Sequence, residues 1–119
     1  MRLLAFGALV VASAGGVQAA VSGDPMRGHN LYAACMGCHS LDENDVGPKH
    51  RGVVGRRAGS VAGYAYSPAL RASGIIWSAE NLNRWLAGPQ AFVPGARMYF
   101  SLSDPQKRAD IIAYLAQQR

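Results

Sequence analysis

Cys35 and Cys38 stand two residues apart, and His39 follows at once. Two thiols at this spacing can each add to one vinyl group of a haem, and the next residue is then held under the iron. The pentapeptide Cys35-Met36-Gly37-Cys38-His39 therefore reads as the attachment site of one covalent c-type haem, with His39 as the first axial ligand of the iron. Two other chemistries compete. A disulfide or thioredoxin-like dithiol would open a helix after a strand in a βαβ context, which the flanking sequence lacks. A zinc site from Cys35, Cys38, His39 and His50 would need the adjacent residues Cys38 and His39 both to reach a tetrahedral ion, a poor fit.

The second axial ligand decides whether such an iron carries electrons or does chemistry on a bound molecule. Met26, Met36, Met98, His29 and His50 are the candidates. Met36 lies inside the attachment loop, and Met26 and His29 share the short helix leading into it, so none of the three easily reaches the far face of the haem. Met98 follows a proline-bearing loop distant from His39 and is favoured, with His50 as the substitute. A buried, gap-filling methionine is the competing role for Met98. A thioether opposite an imidazole favours the ferrous state, raises the potential and leaves no open coordination position, as suits a carrier.

The elements that must position these groups are helical, and no strand alternation appears. Asp24-Pro25 begins a first helix that runs through Leu31 and Tyr32 to the attachment motif. Ser67-Pro68 begins a second, ended by Gly74. Ser78 caps a third, with Leu82, Trp85 and Leu86 on one face, stopped at Gly88-Pro89. Ser103-Asp104-Pro105 opens the last, with Ile111, Ile112 and Leu115 as its apolar stripe. Gly28 lacks a Cβ and lets another helix approach, so the terminal helices are expected to cross there, with Tyr32 beside Tyr114 and Leu115. The expected fold is all-α, about four short helices and long loops wrapped around one haem.

The chain has 119 residues, enough for one small domain. Arg2, the apolar run from Leu3 to Val11 and the small-residue pattern Val17-Gln18-Ala19 read as a cleaved secretory signal over residues 1–19, with the domain over 20–119. Residues 12–20 are too weakly apolar to extend the run to the ~20 residues of a spanning helix. Export to the periplasm also accounts for two cysteines with no other partners. Of 12 Lys and Arg residues against 7 Asp and Glu, Arg2 lies in the signal, which leaves a formal +4. That charge favours acidic partner surfaces. The basic residues are too scattered for nucleic-acid binding.

From Gly23 onward the chain resembles the class I c-type cytochromes of the mitochondrial-like soluble, monohaem kind. Besides the attachment motif, the likeness rests on Gly47-Pro48, Gly52-Val53-Val54-Gly55-Arg56, Gly63-Tyr64-Ala65-Tyr66, Gly74-Ile75-Ile76-Trp77, Val93-Pro94-Gly95, Met98-Tyr99-Phe100 and the run from Ala109 to Leu115. The resemblance implies the small cytochrome c fold and a carrier passing single electrons between periplasmic or membrane-bound redox partners, not an enzyme. It further implies that the Pro48 carbonyl accepts the ring N–H of His39, that Arg56, Tyr66 and Trp77 contact the haem propionates, and that Phe100 covers the haem edge beside Met98.

The departures carry information too. Leu70, Ala96 and Trp85 stand where the family usually has Asn, Thr and Tyr, which removes polar contacts from the crevice. Gln90, Ala91 and Arg97 occupy usual lysine positions, and Lys49 and Lys107 are the only lysines. Partner association is thus expected to depend less on salt than in lysine-rich carriers. An alkaline form would lack a lysine ligand from that loop, since arginine stays protonated. Partners implied are an oxidase, a reductase, a reaction centre or a dehydrogenase, met by a monomer that touches membranes only through them. The rival functions are a haem subunit or membrane-tethered cytochrome of a larger redox complex, and a small haem peroxidase or gas sensor.

Overall fold

Four helices led by proline and a fifth that begins without one define the architecture. The computed structural model describes residues 7–11 and 21–119, so most of the signal expected over 1–19 lies outside the described residues. Helix α1 spans Pro25–Leu31 and passes into a 3₁₀ turn, Tyr32–Cys35. Then come α2 (Pro68–Arg71), α3 (Ala79–Ala87), α4 (Pro89–Phe92) and α5 (Pro105–Gln117). Asp24, Ser67, Ser78 and Asp104 cap α1, α2, α3 and α5, each side chain accepting from the free N–H groups of the first turn. No strand occurs among the described residues, only a single bridge between Arg57 and Ile76. No helix among them is long and apolar enough to cross a membrane.

Two details differ from the sequence reading. The first helix does not stay α-helical up to the attachment motif but tightens at Tyr32, a common ending for a short helix. Gly88-Pro89 stops α3 and also starts a further helix. Pro89, its φ preset and its missing N–H unneeded at the first position, begins α4, so there are five α-helices where about four were expected.

The terminal helices cross at Gly28. That residue is buried, and a Cβ there would run into the Asp110 carbonyl and the Tyr114 Cβ of α5. Tyr32 and Tyr114 pack beside the crossing with ring centroids 5.2 Å apart, as the sequence led us to expect. Ile111, Ile112 and Leu115 face inward with Leu82, Trp85 and Leu86 of α3, forming one core. We expect Gly28→Ala to cost about 1–3 kcal/mol by overpacking. Thermal melting of the haem-bound protein should show the midpoint lowered by roughly 10 °C.

A carboxylate seals the same crossing. Asp110 is only 2 % exposed, yet it accepts from Arg27 Nε at 2.9 Å, from the Asp24 backbone N–H at 2.8 Å and from Gln106 Nε2 at 2.9 Å. Gln106 Nε2 also donates to the Ser22 carbonyl at 2.8 Å, pinning the start of the domain to α5. The hydrogen bond from Arg27, then that from Asp24 N–H, hold the Asp110 carboxyl down at about 2. Its folded value lies below the ~3.9 of an unfolded aspartate, so the stability it contributes is complete above ~3.9 and is lost as pH falls towards about 2. Asp110→Asn should therefore flatten the fall of the melting temperature between pH 4 and pH 2. Part of the slope will remain, since Asp42 is likewise held down by Arg51.

Candidate functional site

The site is built outward from His39. It follows the 3₁₀ turn, with its own N–H bonded to the Cys35 carbonyl at 2.9 Å, which places both thiols and the imidazole on one tight loop. Its Nδ1 lies 2.8 Å from the Pro48 carbonyl oxygen. A carbonyl can only accept, so Nδ1 carries the proton and Nε2 keeps its lone pair. Burial lowers the His39 pKa, outweighing the opposite pull of the Pro48 contact, and so favours the neutral ring. A neutral imidazole with Nδ1 engaged and Nε2 basic is the form that binds a metal.

Gly47 makes room for this ring. A Cβ at Gly47 would collide with Cε1 of His39 and crowd Nδ1 and Nε2 as well, so the imidazole occupies space that any other residue would fill. The Gly47 N–H donates to the Cys38 carbonyl at 2.7 Å, closing the loop back onto the attachment motif.

Cys35 is partly buried and Cys38 exposed, and both are free thiols. Burial pushes the Cys35 thiol up to about 11, with the neighbouring Cys38 adding to the shift. A dithiol built for exchange has a depressed pKa, so the shift runs against that chemistry. Among the described residues no group of three or more His, Cys, Asp or Glu side chains gathers into a metal cage.

His50 sits beside His39, not opposite it. The two rings stack with centroids 3.9 Å apart and planes inclined by 19°. His50 therefore stands on the same side of the site as His39. Its Nδ1 is 2.9 Å from the Tyr32 hydroxyl. Burial, then the neighbouring His39 and Arg56, push His50 down to about 3, and burial raises Tyr32 to about 12. Both are neutral in ordinary buffers, so the Tyr32 O–H donates to His50 Nδ1. Sequence reasoning missed this pair, whose members lie 18 residues apart.

Arg56 and Trp77 come together through backbone pairing around the Arg57–Ile76 bridge. Trp77 N–H donates to the Arg56 carbonyl and Gly55 N–H to the Trp77 carbonyl, both at 2.8 Å. The partly buried Arg56 guanidinium donates to the carbonyls of Lys49 at 2.7 Å and Arg51 at 3.2 Å, with donors to spare. Burial lowers its pKa, and the Tyr66 hydroxyl is near enough to pull the other way. Tyr66 is buried and accepts from Val61 N–H at 3.0 Å, which leaves its own O–H to donate. Trp77 is buried against Trp85, with ring centroids 5.3 Å apart.

Met98 is partly buried against the core on the loop following α4. Gly95 turns that loop with a φ of 92°, a left-handed conformation that suits glycine. The next residues, Tyr99 and Phe100, are 79 % and 40 % exposed. Gln90, which the sequence offered only as a lost lysine, turns inward. Its Nε2 donates to the carbonyls of Ala96 and of Met98, the latter at 3.0 Å, clamping the loop from α4. Ala96 is fully packed and Leu70 lies against the same core, so two positions where polar groups were expected to be lost are filled by apolar contacts.

These residues fit a covalent haem: paired thiols on the loop that carries a metal-competent imidazole, a cradle reserved by Gly47, and a cluster of donors around Arg56. The cytochrome c family model matches residues 25–119. The chain is 40 % identical over 122 residues to cytochrome c2 of Rhodomicrobium vannielii, covering 99 % of this chain and 95 % of that protein. Over 97 residues it is 48 % identical to cytochrome c2 of Rhodopila globiformis, covering 78 % and 92 %. Among solved structures, cytochrome cH from Methylobacterium extorquens is 47 % identical with a TM-score of 0.77, covering 79 % of this chain and 98 % of that one. Ferricytochrome c2 from Rhodopseudomonas palustris gives 39 % and 0.77, covering 81 % and 99 %. The helices, the attachment loop and these likenesses together place the chain in the cytochrome c family.

Proposed function

We propose that this protein is an electron carrier that passes single electrons between redox proteins through one haem c bound to Cys35 and Cys38. The observation that carries the reading is the neutral His39 ring, its Nδ1–H committed to the Pro48 carbonyl and its Nε2 left basic. Bound there, haem c supplies reversible one-electron chemistry at its iron. Cys35 and Cys38 tether the group. His39 and Met98 would be the residues that hold the iron, a ligand pair that would leave no open position in either oxidation state. Arg56, Tyr66 and Trp77 take the propionates, whose charge the guanidinium balances. Trp85, Ala96 and Leu70 keep water from the crevice, and electrons pass at the rim by Phe100.

Full coordination separates a carrier from a haem peroxidase or gas sensor, both of which need an open position. The reduced protein at neutral pH is expected to leave its visible spectrum unchanged under carbon monoxide. A shifted spectrum would favour the peroxidase or sensor. We further propose that residues 1–19 are removed on export and that residues 20–119 work in the periplasm as a monomer. An N-terminal sequence starting near Ala20 supports this, and a retained leader would indicate a tethered subunit.

The Gln90 clamp bears on how firmly Met98 stays on iron. Its two hydrogen bonds are worth about 1 kcal/mol each. Gln90→Ala should therefore move the alkaline loss of the methionine–iron absorption band to lower pH by about one unit or somewhat more, as followed in a spectroscopic titration.

A further inference from the structure

Pro48 holds His39 at a single atom, and one hydrogen bond leaves the ring free to rock. The two sides of the ring are treated differently by the rest of the chain. Gly47 backbone lies against it where a Cβ would collide. The His50 ring covers it in a near-parallel stack, 3.9 Å between centroids. His50 is itself held, since Tyr32 O–H engages its Nδ1 at 2.9 Å and the Tyr32 ring packs against it with centroids 5.7 Å apart. Tyr32 is 4 % exposed and wedged on Tyr114 of α5, beside the helix crossing.

We propose that Tyr32 and His50 act together as positioning residues that fix the rotational setting of the His39 imidazole and tie it to the packing of the terminal helices. The proposal rests on His39 being an iron ligand. An aliphatic side chain in place of His50 would fill the same space, but it would present no flat face and nothing for Tyr32 to hold. A ring held by the Gly47 backbone and by a stacked imidazole keeps one orientation as the iron changes charge, which limits the rearrangement that accompanies each electron.

The orientation of an axial imidazole plane sets how unpaired spin spreads over the haem, and the shifted methyl resonances of the ferric protein read it directly. Proton spectra of haem-bound wild type, Tyr32→Phe, His50→Phe and His50→Leu provide the test. His50→Leu is expected to change the order or spread of the haem methyl resonances. Tyr32→Phe, which removes one hydroxyl and keeps the ring, should move them in the same direction by less. His50→Phe, which restores a flat face without the hydrogen bond, should fall between His50→Leu and wild type.

Wild-type methyl resonances in all three variants, whatever their stability, would overturn the proposal while leaving His39 as ligand, provided the His39 ring protons remain strongly shifted by the iron. Unshifted His39 ring protons in the wild type would overturn the ligand assignment itself, and this proposal with it.

Discussion

Met98→Ala protein, reduced and exposed to carbon monoxide, is expected to bind it, where the wild type does not. Met98 lies on a loop that Gln90 clamps and Gly95 turns, packed against the core, so its removal leaves the loop in place and opens one position at the iron. A thioether stabilises ferrous iron relative to water or hydroxide at the same position. The midpoint potential should therefore fall on the order of 0.2 V, a fraction of the roughly 0.8 V over which axial ligands tune haem iron. Peroxidase turnover should appear in the variant alongside carbon monoxide binding. A variant that kept its potential and ignored carbon monoxide would show that Met98 is a core side chain only.

Replacing both cysteines, as Cys35→Ala with Cys38→Ala, should have the largest structural effect. The domain offers about 100 residues and helices of 4, 7, 9 and 13 residues, lengths at which isolated helices are marginal in water. A chain of this size buries a limited share of its surface unaided. A haem that binds only the folded chain stabilises it, and the covalent link keeps that group from leaving. The double variant should lose the cooperative melting transition, and far-ultraviolet circular dichroism should show much of the helix gone. A cooperative melt close to that of the haem-bound wild type would mean the helices support themselves.

The parts legible from sequence are those set by local chemistry. Asp24, Ser67, Ser78 and Asp104 announce helix starts through bonds made within three residues, and all four cap as read. Gly28 could be read as a crossing point because a missing Cβ has few other uses in a helix. The attachment loop was legible for the same reason, its chemistry being held in five consecutive residues.

What escaped depends on contacts distant in sequence or on a side chain with two equally good directions. His50 reads as a substitute iron ligand until Tyr32, 18 residues earlier, is brought to its Nδ1. Gln90 reads as a solvated replacement for lysine until the loop folds back and offers two carbonyls. Pro89 both ends α3 and begins α4, since one property, the absent N–H, serves either purpose. The pairing of Arg56 with Trp77 follows from a bridge between segments some twenty residues apart, each unremarkable in composition.

The central claim is that one haem is joined to this chain through both thiols of the attachment loop. The mass of the purified protein after denaturation and removal of unbound pigment tests it most directly. The prediction is the polypeptide plus one haem for protein made alongside haem-attachment machinery. The mass of the bare polypeptide under the same conditions would contradict it.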